Sequence, residues 1–275
     1  MNDLFKNKTA VVTGGTQGIG YELCKVYIDK GIKNLVIVGR DSKKGKSVEK
    51  EFRSKGVGCI YVKADLKNII DCKNIIKTAD KIFHRIDILV NCAGDTRRST
   101  ILSTNEKLFD EIMAVNLKAP FFLIQDTVKI MRKKKIKGAI ASVISMSSHS
   151  GHVFKAPYSA SKAGLVNLTK SVAWALARDN IKVNGLNLGW THTPGEEKTI
   201  NKYVTKNKSW PKTLGKKLPW KRLINTKEVA LALAFMTSSE SGLMTGSIID
   251  YDQTVSGWHG DYSAVPKLKD NELGV

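Results

Sequence analysis

Tyr158 and Lys162 stand four residues apart in the run Tyr158-Ser159-Ala160-Ser161-Lys162. On a helix that spacing puts both on one face. A lysine ammonium beside a phenol stabilises the phenolate and lowers the tyrosine pKa from about 10 toward the working range. Such a tyrosine serves as general base in alcohol oxidation and as general acid in carbonyl reduction. Just before it comes Ser147-Ser148-His149-Ser150-Gly151, where a serine hydroxyl could hold the substrate oxygen. A Tyr–Lys pair by itself is also what an ordinary surface helix carries, so the surroundings decide its weight.

The surroundings are those of a nucleotide site. The apolar run Thr9–Thr13 leads into Gly14-Gly15-Thr16-Gln17-Gly18-Ile19-Gly20, with Gly14, Gly18 and Gly20 spaced GxxxGxG. Glycine lets the chain turn tightly and approach a pyrophosphate, and a helix opening near Gly18 points free N–H groups at that anion. A later apolar run leads to Asp65-Leu66, where the aspartate could accept from an adenine amine. Another ends in Asn91-Cys92-Ala93-Gly94, whose small residues allow close backbone approach. The second apolar run ends in Gly39-Arg40-Asp41. A basic residue there accepts a 2′-phosphate and an acidic one binds the ribose 2′-OH. Arg40 comes first, which favours NADP, with NAD the alternative because Asp41 pulls the other way.

The elements that must position these groups alternate along the chain. Short apolar runs at Thr9–Thr13, Asn34–Val38, Gly58–Lys63, Ile86–Asn91, Ala139–Ser145, Ile181–Asn187 and Ser247–Tyr251 read as strands. Helical patterns lie between them, including long ones over 104–134 and 156–179; residues 190–225 read as irregular. That alternation predicts an α/β Rossmann fold: a doubly wound parallel sheet of about seven strands with helices on both faces. Ligands of such sheets bind beyond the carboxyl ends of the strands. With no linker composition in 275 residues, one domain over 1–275 is expected, with a substrate loop at 190–225 and a tail at 252–275.

Here the sequence resembles the short-chain dehydrogenase/reductase family, over roughly residues 5–255. The resemblance rests on TGGTQGIG (13–20), Asp65, NCAG (91–94), Asn116, the serine run 147–151, YSASK (158–162) and VNGLNLGWTHT (183–193). It implies that Tyr158 is the acid/base and that Lys162 lowers its pKa and binds the nicotinamide ribose. Ser148 orients the substrate and Asn116 supports a proton-relay water near Lys162. The cofactor-binding set is then Gly14, Thr16, Gln17, Gly18, Ile19, Gly20, Arg40, Asp65, Leu66, Asn91, Ala93, Gly94, Tyr158, Lys162, Gly189, Thr191 and Thr193, with Thr193 on the nicotinamide carboxamide. Departures from the family pattern are Cys92 in NCAG, Leu188-Gly189 after the sixth strand and Asp252-Gln253-Thr254 after the seventh. The interval from Ser148 to Tyr158, ten residues, is shorter than usual. It implies a trimmed substrate wall and leaves Ser147 and Ser150 as alternatives to Ser148.

The rest of the composition narrows the class. No apolar run is long enough to cross a bilayer, and the polar N-terminus is not read as a signal peptide. Four scattered cysteines (Cys24, Cys59, Cys72, Cys92) fit a reducing cytosol better than a disulfide framework. His149-x-x-His152 has no carboxylate cluster beside it, so no metal is expected. The formal net charge of +20 comes from lysines along the whole chain. It reads as a solvated surface rather than a nucleic-acid site, since arginine would dominate the latter. Trp190, His192, Trp210 and Trp220 in the 190–225 loop, with His149, His152 and Phe154, suggest a hydroxylated substrate such as a sugar or polyol. Trp258, His259 and Tyr262 could fold over a pocket. Apolar residues on a second helix face (Leu165, Leu168, Val172, Ala173, Leu176) and the resemblance together imply a homotetramer or homodimer. The rival within the enzyme class is a 3-oxoacyl carrier-protein reductase; outside it, a nucleotide-binding regulatory protein without turnover.

Overall fold

Every residue of Thr9–Thr13 is buried, as a strand covered on both faces requires. This strand, β1, pairs in parallel with β2 (Asn34–Gly39) on one side and β4 (Ile88–Asn91) on the other. With β3 (Gly58–Lys63), β5 (Ala139–Val143), β6 (Lys182–Leu188) and β7 (Ile248–Tyr251) they form one parallel sheet, ordered β3-β2-β1-β4-β5-β6-β7. The order reverses between β1 and β4, and the crevice there opens at their carboxyl ends. The structure is a computed structural model and describes residues 3–150 and 152–254; Trp258, His259 and Tyr262 lie outside the described residues.

The helices are α1 (Gly18–Asp29), α2 (Ser42–Arg53), α3 (Ile69–Phe83), α4 (Glu106–Met113), α5 (Ala119–Lys133), α6 (Ala156–Leu176), α7 (Pro194–Tyr203), α8 (Trp210–Gly215) and α9 (Thr226–Thr237). Strand alternation sorts the core into two layers. Ala10, Val12, Leu35, Ile37, Ile88 and Val90 face Leu23 and Tyr27 of α1, Phe52 of α2 and Leu233 of α9. Val11, Val36, Val38 and Leu89 face Ile75 and Ile76 of α3, Leu123 of α5 and Leu176 of α6. This two-faced covering is the expected doubly wound arrangement.

Beyond shifts of a residue or two at strand ends, such as β5 closing at Val143 rather than Ser145, the structure departs from the sequence reading in three places. First, β4 begins at Ile88, not Ile86. The buried Asp87 carboxylate accepts the Thr9 N–H (2.9 Å) and a bidentate Arg85, so this segment anchors the strand's entry. Second, the expected helix over 104–134 is two helices joined by a π-helical turn, Ala114–Lys118, which carries the buried Asn116. Third, residues 190–225 are not irregular: α7 and α8 lie there, and the Thr191–Ile224 bridge closes the base of the excursion. Thr193 starts α7 by accepting the Glu196 N–H, and Pro194 takes the first turn, where its missing N–H costs nothing. No helix among the described residues is long and apolar enough to cross a membrane.

Candidate active site

The carboxyl end of β1 makes the cradle. Gly14 (φ +68°) and Gly18 (φ +56°) both adopt the left-handed conformation that favours glycine. A Cβ on Gly14 would stand 3.2 Å from the Ala93 nitrogen, and one on Gly20 only 2.6 Å from the Gly14 carbonyl oxygen. Thr13 Oγ1 ties the two loops by accepting the Cys92 and Ala93 N–H groups. Helix α1 opens at Gln17 with no side-chain cap and no acidic residue in its first turn, leaving its free N–H groups for an anion. Thr16 is buried against Gly39, and Ile19 packs on the core beneath.

Around this cradle lie the other expected cofactor residues. Arg40 is exposed at the end of β2. Asp41 beside it caps the next helix. Its carboxylate accepts the Lys44 N–H (3.0 Å) as the cap of α2, and that bond holds it below the usual carboxylate range. Lys44 Nζ in turn reaches Gln17 Oε1 at 2.8 Å. Asp65 accepts the Lys67 N–H, and Leu66 is buried beside it. Asn91 donates to Ser142 Oγ, while its own Oδ1 is buried with no partner among the described residues. Gly189 has no room for a Cβ against the Asp252 side chain, and Thr191 is buried behind it. Thr193, the cap of α7, packs 3.5 Å from where a Gly18 Cβ would be. A glycine cradle, an uncapped helix start and an orphaned amide oxygen fit a dinucleotide. Among the described residues, no group of three or more His, Cys, Asp or Glu could hold a metal.

Tyr158 and Lys162 lie on the first turns of α6, both buried, with Lys162 Nζ 5.7 Å from the Tyr158 ring centroid. Lys162 donates to the Val143 carbonyl at 2.8 Å, which fixes it at the end of β5. Asn116 is held from three sides. Its Oδ1 accepts the Asp95 N–H (2.8 Å), and its Nδ2 donates to the Asp95 carbonyl (3.0 Å) and to Ser161 Oγ (3.1 Å). Gly94 lies between them: a Cβ there would be 3.6 Å from Asn116 Oδ1 and 3.8 Å from Lys162 Nζ. π-Helical turns are often found at functional sites, because the extra residue redirects a side chain. Here it directs Asn116 to this cluster.

The electrostatics differ from the expectation. Burial pushes the Tyr158 phenol up to about 12, although hydrogen bonding to the Ser145 side chain pulls it back. Burial also brings Lys162 down to about 8. The lysine therefore does not bring the phenol into the working range by itself; removal from water outweighs it. At neutral pH the pair is a protonated phenol beside an ammonium, an arrangement ready to give a proton and to stabilise the anion left behind.

Three comparisons with known proteins agree on the family. The family model for short chain dehydrogenases matches residues 8–203. The chain belongs to the short-chain dehydrogenase/reductase family. It is 34% identical to an uncharacterized oxidoreductase of Thermotoga maritima, covering 90% of this chain and 97% of that one. It is 30% identical to a 3-oxoacyl-(acyl-carrier-protein) reductase of Buchnera aphidicola, covering 88% and 94%. Among solved structures it resembles a short chain dehydrogenase/reductase family protein at 28% identity and a TM-score of 0.79, covering 91% and 97%.

For this short-chain dehydrogenase/reductase the structure corrects the placement of the serine. Ser145, not Ser148, faces the Tyr158 phenol. Ser148 Oγ instead donates to Asn187 Oδ1 at 3.1 Å, in a network where Asn187 and His149 both reach Asp250 Oδ1 (2.9 and 2.7 Å). Ser147 gives its N–H to Ser145 Oγ, and so braces the serine that does face the phenol. Counted from Ser145, the interval to Tyr158 is thirteen residues. On the substrate side, His192 meets the buried Trp210 edge-on at 5.4 Å, and Trp220 is exposed. Sequence reasoning missed Arg98, Lys155 and Glu196, which gather beside Tyr158. Arg98 Nη2 lies 3.8 Å from Glu196 Oε1, and Lys155 Nζ lies 5.5 Å from the Tyr158 ring centroid.

Proposed function

We propose that the protein is an NADP-dependent oxidoreductase acting on an alcohol or ketone, with a hydroxylated substrate of sugar or polyol type, and with NAD as the less favoured cofactor. The observation that carries this reading is the junction of the two halves of the site. The glycine cradle of β1 and α1 meets the Tyr158–Lys162–Asn116 cluster across Gly94. When bound, the nicotinamide supplies or accepts the hydride. Gly14, Thr16, Gln17, Gly18, Ile19, Gly20, Asn91, Ala93 and Gly94 hold its phosphates and sugars, with Asp65 and Leu66 toward the adenine. Gly189, Thr191 and Thr193 flank its far end, and Arg40 pairs with a 2′-phosphate. Tyr158 gives its proton to the carbonyl oxygen as charge builds there. Lys162 stabilises the resulting phenolate, and Asn116 ties the Asp95 backbone to the Ser161 hydroxyl of α6 beside them. Ser145 takes the role of orienting the substrate oxygen.

A second reading is favoured by the 30% identity to a 3-oxoacyl-(acyl-carrier-protein) reductase and by the net charge of +20, which suits an acidic carrier. The test is an absorbance screen of the reduced nicotinamide. Oxidised cofactors are paired with sugars, polyols and simple alcohols, and reduced ones with ketones and a carrier-linked oxoacyl substrate. Turnover of a polyol or sugar supports the first reading; turnover of the carrier-linked substrate alone replaces it with the second. Tight cofactor binding with no turnover points to a nucleotide-binding protein instead.

The single domain over 1–275 and a cytoplasmic location belong to the same proposal. So does assembly as a homotetramer or homodimer through α4, α5 and α6. These helices expose Phe109, Phe121 and Trp174, the last at 86%. Met113, Leu117, Phe121, Phe122 and Leu168 line an apolar groove of about 390 Å³ there.

A further inference from the structure

Three elements meet above the Tyr158 ring: the loop after β4, the start of α6 and the start of α7. Each brings a charge. Arg98 comes from the first, Lys155 from the second and Glu196 from the third. The backbone bond from Ser99 N–H to the Phe154 carbonyl (3.0 Å) fixes the first two against each other. Arg98 and Glu196 side chains are each only 12% exposed, and their separation of 3.8 Å is too long for a hydrogen bond. Glu196 Oε1 already accepts the Trp190 indole N–H at 3.1 Å. Arg98 Nε is buried with no partner among the described residues. Lys155 makes no ion pair among them, although it is partly removed from water.

The charges do not balance. Two cations face one carboxylate that is only loosely paired, and Lys162, the third cation near the phenol, is held by a carbonyl rather than an acid. Burial holds Lys155 below its ordinary range, with Glu196 pulling it back more than Arg98 pushes it down, and His152 is held down first by burial and then by Lys155 and Arg98. A largely buried guanidinium whose Nε has no partner among the described residues and whose one carboxylate lies beyond hydrogen-bond reach is costly, and a guanidinium's planar fork matches a bidentate anion. A neutral polyol gives such a site nothing to pair.

From this we infer that Arg98 and Lys155 form an anion subsite beside Tyr158, and that the substrate carries a carboxylate or a phosphate ester near its reacting carbon. The inference rests on the oxidoreductase reading above and narrows its substrate to an acidic one.

The test uses matched pairs that differ in the anion: gluconate and sorbitol, 3-hydroxybutanoate and 2-butanol, glycerol 3-phosphate and glycerol. In at least one pair kcat/KM for the acid should exceed that for its neutral partner by about tenfold or more, as one charge-assisted contact allows. Arg98→Ala should lower that acid-over-neutral ratio by about tenfold and Arg98→Lys should restore part of it. Lys155→Gln gives a second reading should Arg98→Ala fail to fold. Preference within the phosphate pair alone assigns the subsite to phosphate esters; preference within the others assigns it to carboxylates. Neutral members preferred throughout, or a ratio that Arg98→Ala and Lys155→Gln leave unchanged, overturns the subsite. A fluorescence titration of the NADPH complex with 3-oxobutanoate against 2-butanone separates the two claims. Tighter binding of the acid, lost in Arg98→Ala, with no turnover in any pair keeps the subsite and removes the oxidoreductase reading. Equal binding of the two removes the subsite.

Discussion

The cofactor half and the substrate half of this site are built by different means. On the cofactor side, backbone does the work: glycines at positive φ, an uncapped helix start and two loops tied by Thr13. Side chains matter there mainly by being small. On the substrate side the backbone only brings distant loops together, and side chains do the rest through buried charge: Lys162, Lys155, Arg98 and Glu196 around one phenol. A backbone site is written in a few glycines at fixed spacing. A side-chain site is written in residues far apart, whose identity is common and whose meeting is the information.

Replacing Tyr158 separates the two halves most sharply. Tyr158→Phe keeps the ring that packs in the site and removes only the proton donor, so turnover should fall by about 1000-fold or more. Cofactor affinity, measured by quenching of protein fluorescence, should stay within about twofold, because no part of the glycine cradle changes. Near-normal turnover in this variant would take the acid/base role away from Tyr158.

The next contrast lies within the substrate half, between two serines three residues apart. Ser145→Ala removes the hydroxyl facing the phenol and should lower kcat by about 100-fold, as loss of one polarising donor does elsewhere. Ser148→Ala loosens the Asn187–His149–Asp250 network, and its effect should appear as a lower Tm with kcat nearly intact. If the two variants trade these outcomes, the serine nearest the phenol is not the one that orients substrate.

These serines also show what was legible in the sequence and why. The strands and their alternation with helices, the glycine turn and the Tyr158–Lys162 pair could all be read, because each depends on local spacing. Ser145 is hidden in the sequence because it continues the apolar run of the fifth strand, and the serine pair follows directly beyond it. The interval from Ser148 to Tyr158 looked too short, and that shortness was itself the signal for Ser145. Helices α7 and α8 lack the apolar period that marks a core helix: only Thr199 and Ile200 are buried in the first, Trp210 and Gly215 in the second. Their start was nonetheless visible in Thr193-Pro194 followed by Glu196-Glu197. The π-helical turn at Asn116 has no sequence mark, since it is fixed by the bonds to Asp95 and Ser161. Arg98 and Lys155 could not be paired by any local rule, as 57 positions separate them.

Burial of Lys162 gives a pH limit peculiar to the substrate half. Its pKa is down at about 8, so it is an ammonium below that and an amine above, while Tyr158, at about 12, stays protonated throughout. In carbonyl reduction the ammonium stabilises the phenolate left by proton transfer. The value of kcat/KM should therefore hold level below about 8 and fall about tenfold per pH unit above it. A profile flat to well above that point would mean that Lys162 positions the site without lending its charge. Cofactor binding followed over the same range tells whether the loss belongs to chemistry or to the ribose contact.

The smallest expected effect tests whether the cofactor half relies on side-chain charge anywhere. Arg40 is its one exposed cation at the end of β2, and Asp41 beside it is committed to capping α2 through the Lys44 N–H. If a 2′-phosphate sits there, Arg40→Ala should raise KM for NADP about tenfold and leave KM for NAD nearly unchanged, the effect of one charge-assisted contact in an exposed place. The increase should shrink at high salt, because an exposed pair is screened where a buried one is not. Equal changes for the two cofactors would mean that Arg40 lies along the adenine without reading the phosphate. Discrimination would then fall to Lys44, which already reaches across to Gln17 at the mouth of the cradle, and the Lys44→Ala variant would show the preference that Arg40→Ala did not.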